Sequence, residues 1–262
     1  MKYLFECWEE IQTRIRNTKN LFLLLDYDGT LTPIVSRPEL ANCPPIVRRY
    51  LERLRDLPGV YLAIISGRSL EDVQEKVGVS GITYVGNHGL EIQNPAGRHK
   101  KGLTPVRKRE LNRITQNLRN SLKDIPGILI EEKGPILSVH YRNVPGKLSP
   151  RVIQAVKAEA HRTKDRWKMA LGKMVSEIRP NVDFHKGKAV RELLKTSSPG
   201  LLPIYLGDDH TDEDAFRVLK GWGISVYVGS GTFPLMADFF LQSPDEVQEF
   251  LSRCYAARKH EN

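Results

Sequence analysis

Two carboxylates, Asp26 and Asp28, stand one residue apart at the end of an unbroken apolar run, Leu21 to Leu25, and are followed by Gly29 and Thr30. Such a run is the pattern of a strand buried on both faces, as in a parallel sheet. Asp-Tyr-Asp-Gly-Thr is then the turn leaving its C-terminal end, the edge at which open α/β sheets bind ligands. Two carboxylates there repel one another unless a cation lies between them. Hard Mg²⁺ suits them, because it takes few carboxylates and completes its shell with phosphate oxygens. The plainer use of Asp and Thr after a strand is to cap the next helix. A second apolar run, Leu202 to Leu206, also stops at acids: Asp208, Asp209, Asp212, Glu213 and Asp214. Asp208 and Asp212 flank the expected strand-to-helix turn, so both can face one metal. Glu213 and Asp214 read as first-turn charges that complement the helix dipole.

The elements that must position these acids follow from periodicity. Apolar spacing predicts an opening helix over 3–18, and the strand 21–26 follows it. A helix from Ile46 to Arg55 starts near Pro45, and Val60 to Ile65 is a buried strand ended by Ser66, Gly67 and Arg68. Ser69 caps a further helix with Glu71 and Asp72 in its first turn; Ile82 to Val85 is a strand ended by Gly86, Asn87, His88 and Gly89. Strand and helix in alternation imply an α/β fold with a parallel sheet and right-handed crossovers. Asn94 to Thr104 reads as a polar linker. The order then changes to α-β-β-α-β-β: helix 105–123, strands Ile128 to Lys133 and Ile136 to Arg142, helix 149–162, strands Arg166 to Ala170 and Met174 to Arg179. Alternation places Glu131 with Lys133, and His140 with Arg142, on one face of that sheet. Charges there also serve to keep a sheet edge from pairing. The first pattern resumes with helix Gly187 to Leu194, strand Leu202 to Leu206, helix Thr211 to Leu219, strand Ile224 to Val228 and a closing helix from Pro244 to Tyr255. The expected division is a core of 1–103 and 183–262 interrupted by an inserted cap domain, 104–182.

Composition bounds the function. The 262 residues, 40% of them hydrophobic, suffice for one large domain or two modest ones. No apolar run approaches the roughly 20 residues of a membrane helix. Glu6, Glu9 and Glu10 make the N-terminus too acidic for a secretory signal. Cys7, Cys43 and Cys254 are scattered and lack metal spacing, which fits reduced thiols and a cytoplasmic location. The net charge of +9 comes without zinc spacing, an RNP-like string or an aromatic-spaced basic patch, so no nucleic-acid partner is expected. Attraction of an anionic, phosphorylated substrate is a milder use of that charge, and a solvated surface accounts for most of it.

The string Asp26-x-Asp28-Gly29-Thr30-Leu31-Thr32 resembles the nucleophile motif of haloacid dehalogenase-like phosphatases. The resemblance implies a Rossmann-like core, with Asp26 attacking phosphorus and Asp28 acting as general acid and base. It implies Asp208 as direct metal ligand and Asp212 as a supporting one, with Asp209 a further candidate. By the same resemblance Ser66 binds phosphate, although an ordinary N-cap uses the same geometry. Lys186, before a helix in His185-Lys186-Gly187-Lys188-Ala189, matches the phosphate-neutralising lysine, with Lys188 as its competitor. His185 departs from the Asn or Asp usual before Lys-Gly.

The match narrows at Gly86-Asn87-His88-Gly89-Leu90-Glu91, at Gly207 to Phe216, and at His140-Tyr141-Arg142 and Val175 to Pro180, all similar to the trehalose-6-phosphate phosphatase family over residues 21–252. That resemblance implies Mg²⁺-dependent hydrolysis of trehalose 6-phosphate through an aspartyl-phosphate on Asp26, with Asp26, Asp28, Asp208 and Asp212 around the metal. It implies that Glu131 with Lys133, and Lys173 with Glu177, grip the sugar hydroxyls, joined by Arg142, Gly67 and Asn87. Carboxylates accept and ammoniums donate, which suits hydroxyl groups. His88 reads as a structural lock of its turn. Alternatives are phosphatases of sucrose 6-phosphate or glucosylglycerol phosphate, and a phosphomannomutase-type phosphotransferase. A non-catalytic binding protein is disfavoured by the intact acids. A monomer is expected, with no membrane partner and with a separate trehalose-6-phosphate synthase chain as the candidate associate.

Overall fold

The computed structural model describes residues 1–35, 37–100, 104–172, 174–195, 200–230 and 236–259. In chain order the first elements are β1 (Lys2–Tyr3), α1 (Trp8–Asn17), β2 (Asn20–Asp26), α2 (Pro45–Arg55), β3 (Val60–Ile65), α3 (Leu70–Val77), β4 (Thr83–Gly86), β5 (Glu91–Asn94) and β6 (Gly97–Lys100). Then come α4 (Pro105–Leu122), β7 (Leu129–Lys133), β8 (Ile136–His140), α5 (Ser149–Arg162), β9 (Trp167–Gly172) and β10 (Val175–Pro180). The last are α6 (Lys186–Lys195), β11 (Leu201–Gly207), α7 (Glu213–Leu219), β12 (Ile224–Val228), β13 (Phe239–Leu241) and α8 (Pro244–Lys259). Two compact units result, one of 1–99 with 184–262, the other of 100–183.

Among the described residues the first unit holds a nine-stranded sheet in the order β1-β13-β12-β11-β2-β3-β4-β5-β6. β2 lies at its centre, parallel to β11 on one side and β3 on the other. Every residue of β2 is buried, as its continuous apolar sequence requires, and the pleat divides them between two cores. Leu21, Leu23 and Leu25 join the layer packed by Ile11 and Ile15 of α1, Leu51 of α2, Val73 of α3 and Phe250 of α8. Phe22 and Leu24 join the opposite layer, packed by Val190 of α6 and Phe216 of α7. Helices on both faces of a mainly parallel sheet, in which β5 runs antiparallel to β4, make a doubly wound α/β unit.

In the second unit β7-β8-β10-β9 form an antiparallel sheet. Leu137 and Val139 of β8 and Ile178 of β10 share one core with Ile114 and Leu118 of α4 and Val152 and Val156 of α5. The alternate residues, Glu131, Lys133, Ser138, His140, Glu177 and Arg179, belong to the other face.

Four local expectations change. The opening helix begins as a 3-10 turn over Leu4–Cys7 and becomes α-helical at Trp8, while Lys2 and Tyr3 pair in parallel with Phe239 and Phe240. The Tyr3 ring lies 5.5 Å from that of Phe240, and its hydroxyl donates to Glu246. The stretch read as a linker from Asn94 takes in the last residue of β5 and all of β6. The strand read as Ile136 to Arg142 ends at His140, so alternation does not put Arg142 beside His140; Arg142 is exposed in a turn. β13, three residues long, had no periodicity to read.

Candidate active site

β2 and β11 are adjacent and parallel, with Leu25 opposite Leu206, so both acidic turns leave the same edge of the sheet. Asp26 ends β2 and is buried. Lys186, the first residue of α6, donates from Nζ to Asp26 Oδ1 at 2.7 Å and to Asp212 Oδ1 at 2.8 Å. Asp212 is fully buried; its Oδ1 also accepts from the Tyr205 hydroxyl at 2.6 Å, and its Oδ2 accepts from the Asp209 backbone N–H at 3.1 Å. One oxygen each of Asp26, Asp208 and Asp212 gather within 4.8 Å of one another. Gly29 makes this approach possible: its φ is +80°, and a side chain there would collide with the Asp208 carboxylate.

Electrostatics follow from three carboxylates against one ammonium. Burial raises the Asp26 carboxyl well above its ordinary value; Lys186 pulls it back, and Asp212 and Asp208 push it further up. Burial likewise lifts Asp208 to about 6, against a hydrogen bond with Asp26 and with the push of Asp212. Burial alone would depress the Lys186 ammonium, but Asp26 and Asp212 outweigh it and hold its pKa above the ordinary lysine range. A cluster that resists full ionisation by itself, built of oxygen donors, fits a small divalent cation. Asp26 and Asp208 have the oxygens to offer it. Asp212, with both oxygens hydrogen-bonded, is placed to support.

Asp28 stands differently. Its carboxylate accepts two hydrogen bonds from Arg68, Nε to Oδ2 at 2.7 Å and Nη2 to Oδ1 at 2.6 Å, and it is not part of the three-carboxylate group. Of the four residues expected around the metal, the structure gathers the side chains of Asp26, Asp208 and Asp212 and pairs that of Asp28 with Arg68. Asp209 is likewise outside that group; its side chain accepts from the His210 backbone N–H and caps the turn. The ammonium between the carboxylates is that of Lys186.

Ser66 follows β3 directly and is buried; its Oγ accepts from the Arg68 backbone N–H at 3.1 Å. Gly67 lies against the His88 ring, where a Cβ would come within 2.6 Å of Cε1. His88 holds φ +56° and donates its backbone N–H to the Ser66 carbonyl, so its main chain ties the turn to the end of β3. Asn87 donates from Nδ2 to buried Glu91 at 2.8 Å. That bond ties its side chain to the start of β5.

In the second unit Glu131 Oε2 lies 3.1 Å from both Lys133 Nζ and His140 Nε2. Glu177 accepts from buried Ser138 at 3.2 Å and from Arg179 Nε at 2.8 Å. Lys173 lies outside the described residues. Arg68, Tyr205, Ser138 and Arg179 went unassigned from sequence. Arg68 stood in the quoted Ser66-Gly67-Arg68 string, whereas an apolar strand hid Tyr205.

The fold is that of haloacid dehalogenase-like hydrolases: a solved example from Bacteroides thetaiotaomicron superposes with a TM-score of 0.63 at 17% identity over 90% of this chain and 99% of that one. The trehalose-phosphatase family model matches residues 24–245, and the chain belongs to that family. It is 36% identical over 251 residues to trehalose-phosphate phosphatase B of Arabidopsis thaliana, covering 90% of this chain and 66% of that protein. It is 37% identical over 243 residues to the trehalose-phosphate phosphatase of Mycobacterium tuberculosis H37Rv, covering 88% of this chain and 60% of that protein. The chain thus spans about two thirds or less of these relatives. The C-terminal domain of C. albicans trehalose-6-phosphate phosphatase superposes with a TM-score of 0.72 at 23% identity, covering 95% and 96% of the two chains. Among the described residues no helix is long and apolar enough to cross a membrane.

Proposed function

We propose that this chain is a phosphatase that hydrolyses trehalose 6-phosphate to trehalose and phosphate. One observation carries the reading: Lys186 bridges Asp26 and Asp212 beside Asp208, so a nucleophile, a fixed cation and a carboxylate cluster from three chain segments meet at one sheet edge. Asp26, Asp208 and Asp212 would hold Mg²⁺. When bound, that ion supplies positive charge for the transferring phosphoryl group.

The chain's own residues do the rest. A carboxylate oxygen of Asp26 forms the bond to phosphorus as the bond to the sugar oxygen breaks, and Asp28 gives its proton to that oxygen. The products are trehalose and an aspartyl-phosphate on Asp26. Asp28, now ionised, takes a proton from water as the water oxygen bonds to phosphorus. The bond from phosphorus to Asp26 breaks, releasing phosphate and restoring the carboxylate. Lys186 balances the charge of Asp26 in both states, and Ser66 donates to a phosphate oxygen. In the inserted cap domain, 104–182, Glu131, Lys133 and Glu177 are assigned to the sugar hydroxyls, with Lys173 and Arg142 as further candidates. A cytoplasmic location and a separate synthase chain as partner complete the reading. The test is phosphate release from a panel of phosphorylated sugars, with Mg²⁺ and with excess chelator. Release from trehalose 6-phosphate above all others, abolished by chelator, is the expected outcome. Preference for another sugar phosphate would overturn the substrate, and turnover in chelator the metal.

A further inference from the structure

Arg68 lies beside the reacting groups and has no part in the scheme above. Its side chain is nine-tenths buried, although Asp28 is two-fifths exposed. Nε and Nη2 form a parallel fork onto the two oxygens of Asp28, at 2.7 and 2.6 Å. Nη1 donates in addition to Asp72 Oδ2 at 2.7 Å, in the first turn of α3. The guanidinium carbon stands 5.4 Å from the centroid of the Tyr27 ring, and that tyrosine is fully buried with its hydroxyl donating to the Ala41 carbonyl at 2.8 Å. The Arg68 backbone is held too: its N–H donates to Ser66 Oγ, and its carbonyl accepts from the Asn87 N–H at 2.6 Å. A rigidly seated cation therefore grips a partly exposed carboxylate.

A fork fixes more than a distance. Two parallel bonds set the plane and rotation of the carboxylate, which a lysine ammonium, a point charge, does not. A carboxylate has about four lone-pair sites, so the fork leaves two of them facing away from Arg68. Proton transfer requires such a site within hydrogen-bond reach of the leaving oxygen. We propose that Arg68 is the positioning residue for Asp28: its fork, seated by Asp72 and Tyr27, sets the orientation from which Asp28 passes its proton to the leaving oxygen. The proposal rests on the reading of Asp28 as that proton donor.

The readout is dependence on the leaving group, which a merely structural role does not move. p-Nitrophenyl phosphate and phenyl phosphate are alike in size, but the first expels the more stable anion and the second gains more from protonation of its leaving oxygen. kcat/KM on both, with Mg²⁺, reports the steps up to the first bond cleavage. Asp28→Asn should lose about 100-fold or more on phenyl phosphate and far less on p-nitrophenyl phosphate. Arg68→Lys and Arg68→Gln should each lose about tenfold or more on phenyl phosphate and under about threefold on p-nitrophenyl phosphate. Asp72→Asn should show the same ordering more weakly. Circular dichroism checks folding, and if Arg68→Gln does not fold, Arg68→Lys and Asp72→Asn still decide. Equal losses on both substrates in the Arg68 variants, or a wild-type Arg68→Lys, would overturn the proposal while a steep Asp28→Asn profile left the acid assignment standing. A flat profile in Asp28→Asn itself would remove the acid assignment and the proposal together.

Discussion

A Cβ added to Gly29 would fall 2.0 Å from Oδ2 of Asp208. The turn after the first acidic strand and the acid after the second are thus in contact, and only a hydrogen separates them. Gly29 also holds φ +80°, which strains an L side chain. Gly29→Ala should displace Asp208 and lower phosphate release by at least about tenfold, with a stability loss of about 1–3 kcal/mol. Paired activity and thermal-unfolding measurements check it. Wild-type turnover in a folded variant would mean that the Asp208 position is not needed.

Asp26→Asn should abolish turnover without weakening the fold. The buried Asp26 carboxyl is raised by burial and by its acidic neighbours, so its charge works against the folded state above its ordinary range. Asparagine keeps the shape and removes that charge. The unfolding midpoint near neutral pH, without metal, should stay level or rise. A marked fall would show that the Asp26 pair with Lys186 outweighs its repulsions.

Mg²⁺ should stabilise the protein more at neutral than at acid pH. Asp208 is lifted to about 6 from 3.8, so between those values the folded chain binds more protons than the unfolded one. Stability without metal therefore falls as pH rises across that window. The ion competes with the proton, so its effect is greatest once Asp208 is ionised. Thermal unfolding with and without MgCl₂, at about pH 5 and about pH 7.5, measures the difference. An equal shift at both values would separate Asp208 from the metal.

Glu177→Ala and Lys133→Ala should each reduce kcat/KM for trehalose 6-phosphate by about tenfold to 100-fold. Losses on p-nitrophenyl phosphate should be small, because that substrate lacks the remote sugar whose binding helps place the phosphate. Ser138 and Arg179 hold Glu177, so Ser138→Ala should follow Glu177→Ala in the same direction. Equal losses on both substrates would assign these residues to the fold.

The core was legible where one residue pattern has one physical use. A run such as Leu21 to Leu25, apolar at every position and too short for a typical helix, fits a strand covered on both faces, and all five are buried. The acids ending β2 and β11 were legible for the same reason, since nothing in packing requires them there. Asp28 was harder to place: spacing put it beside Asp26, but a partner forty residues on, Arg68, decides where its carboxylate goes. The placement of Arg142 beside His140 failed because alternation was carried past the last ladder pair, that of His140 with Val175. Lys2 and Tyr3 form an edge strand whose pairing depends on Phe239 and Phe240, more than two hundred positions away, and local periodicity holds no trace of it.

The central pairing joins Leu21 to Leu202, with the whole of the second unit between them in sequence. A ribosome therefore releases β2 long before its β11 partner exists. The segment 100–183 is contiguous, with a core of its own, and can fold as a unit during that wait. The first unit cannot close until β11 emerges, and its contacts of long sequence separation make that closure the slow step. Until then β2, apolar from Leu21 to Leu25, has only β3 to pair with, and its β11 side stays open during synthesis.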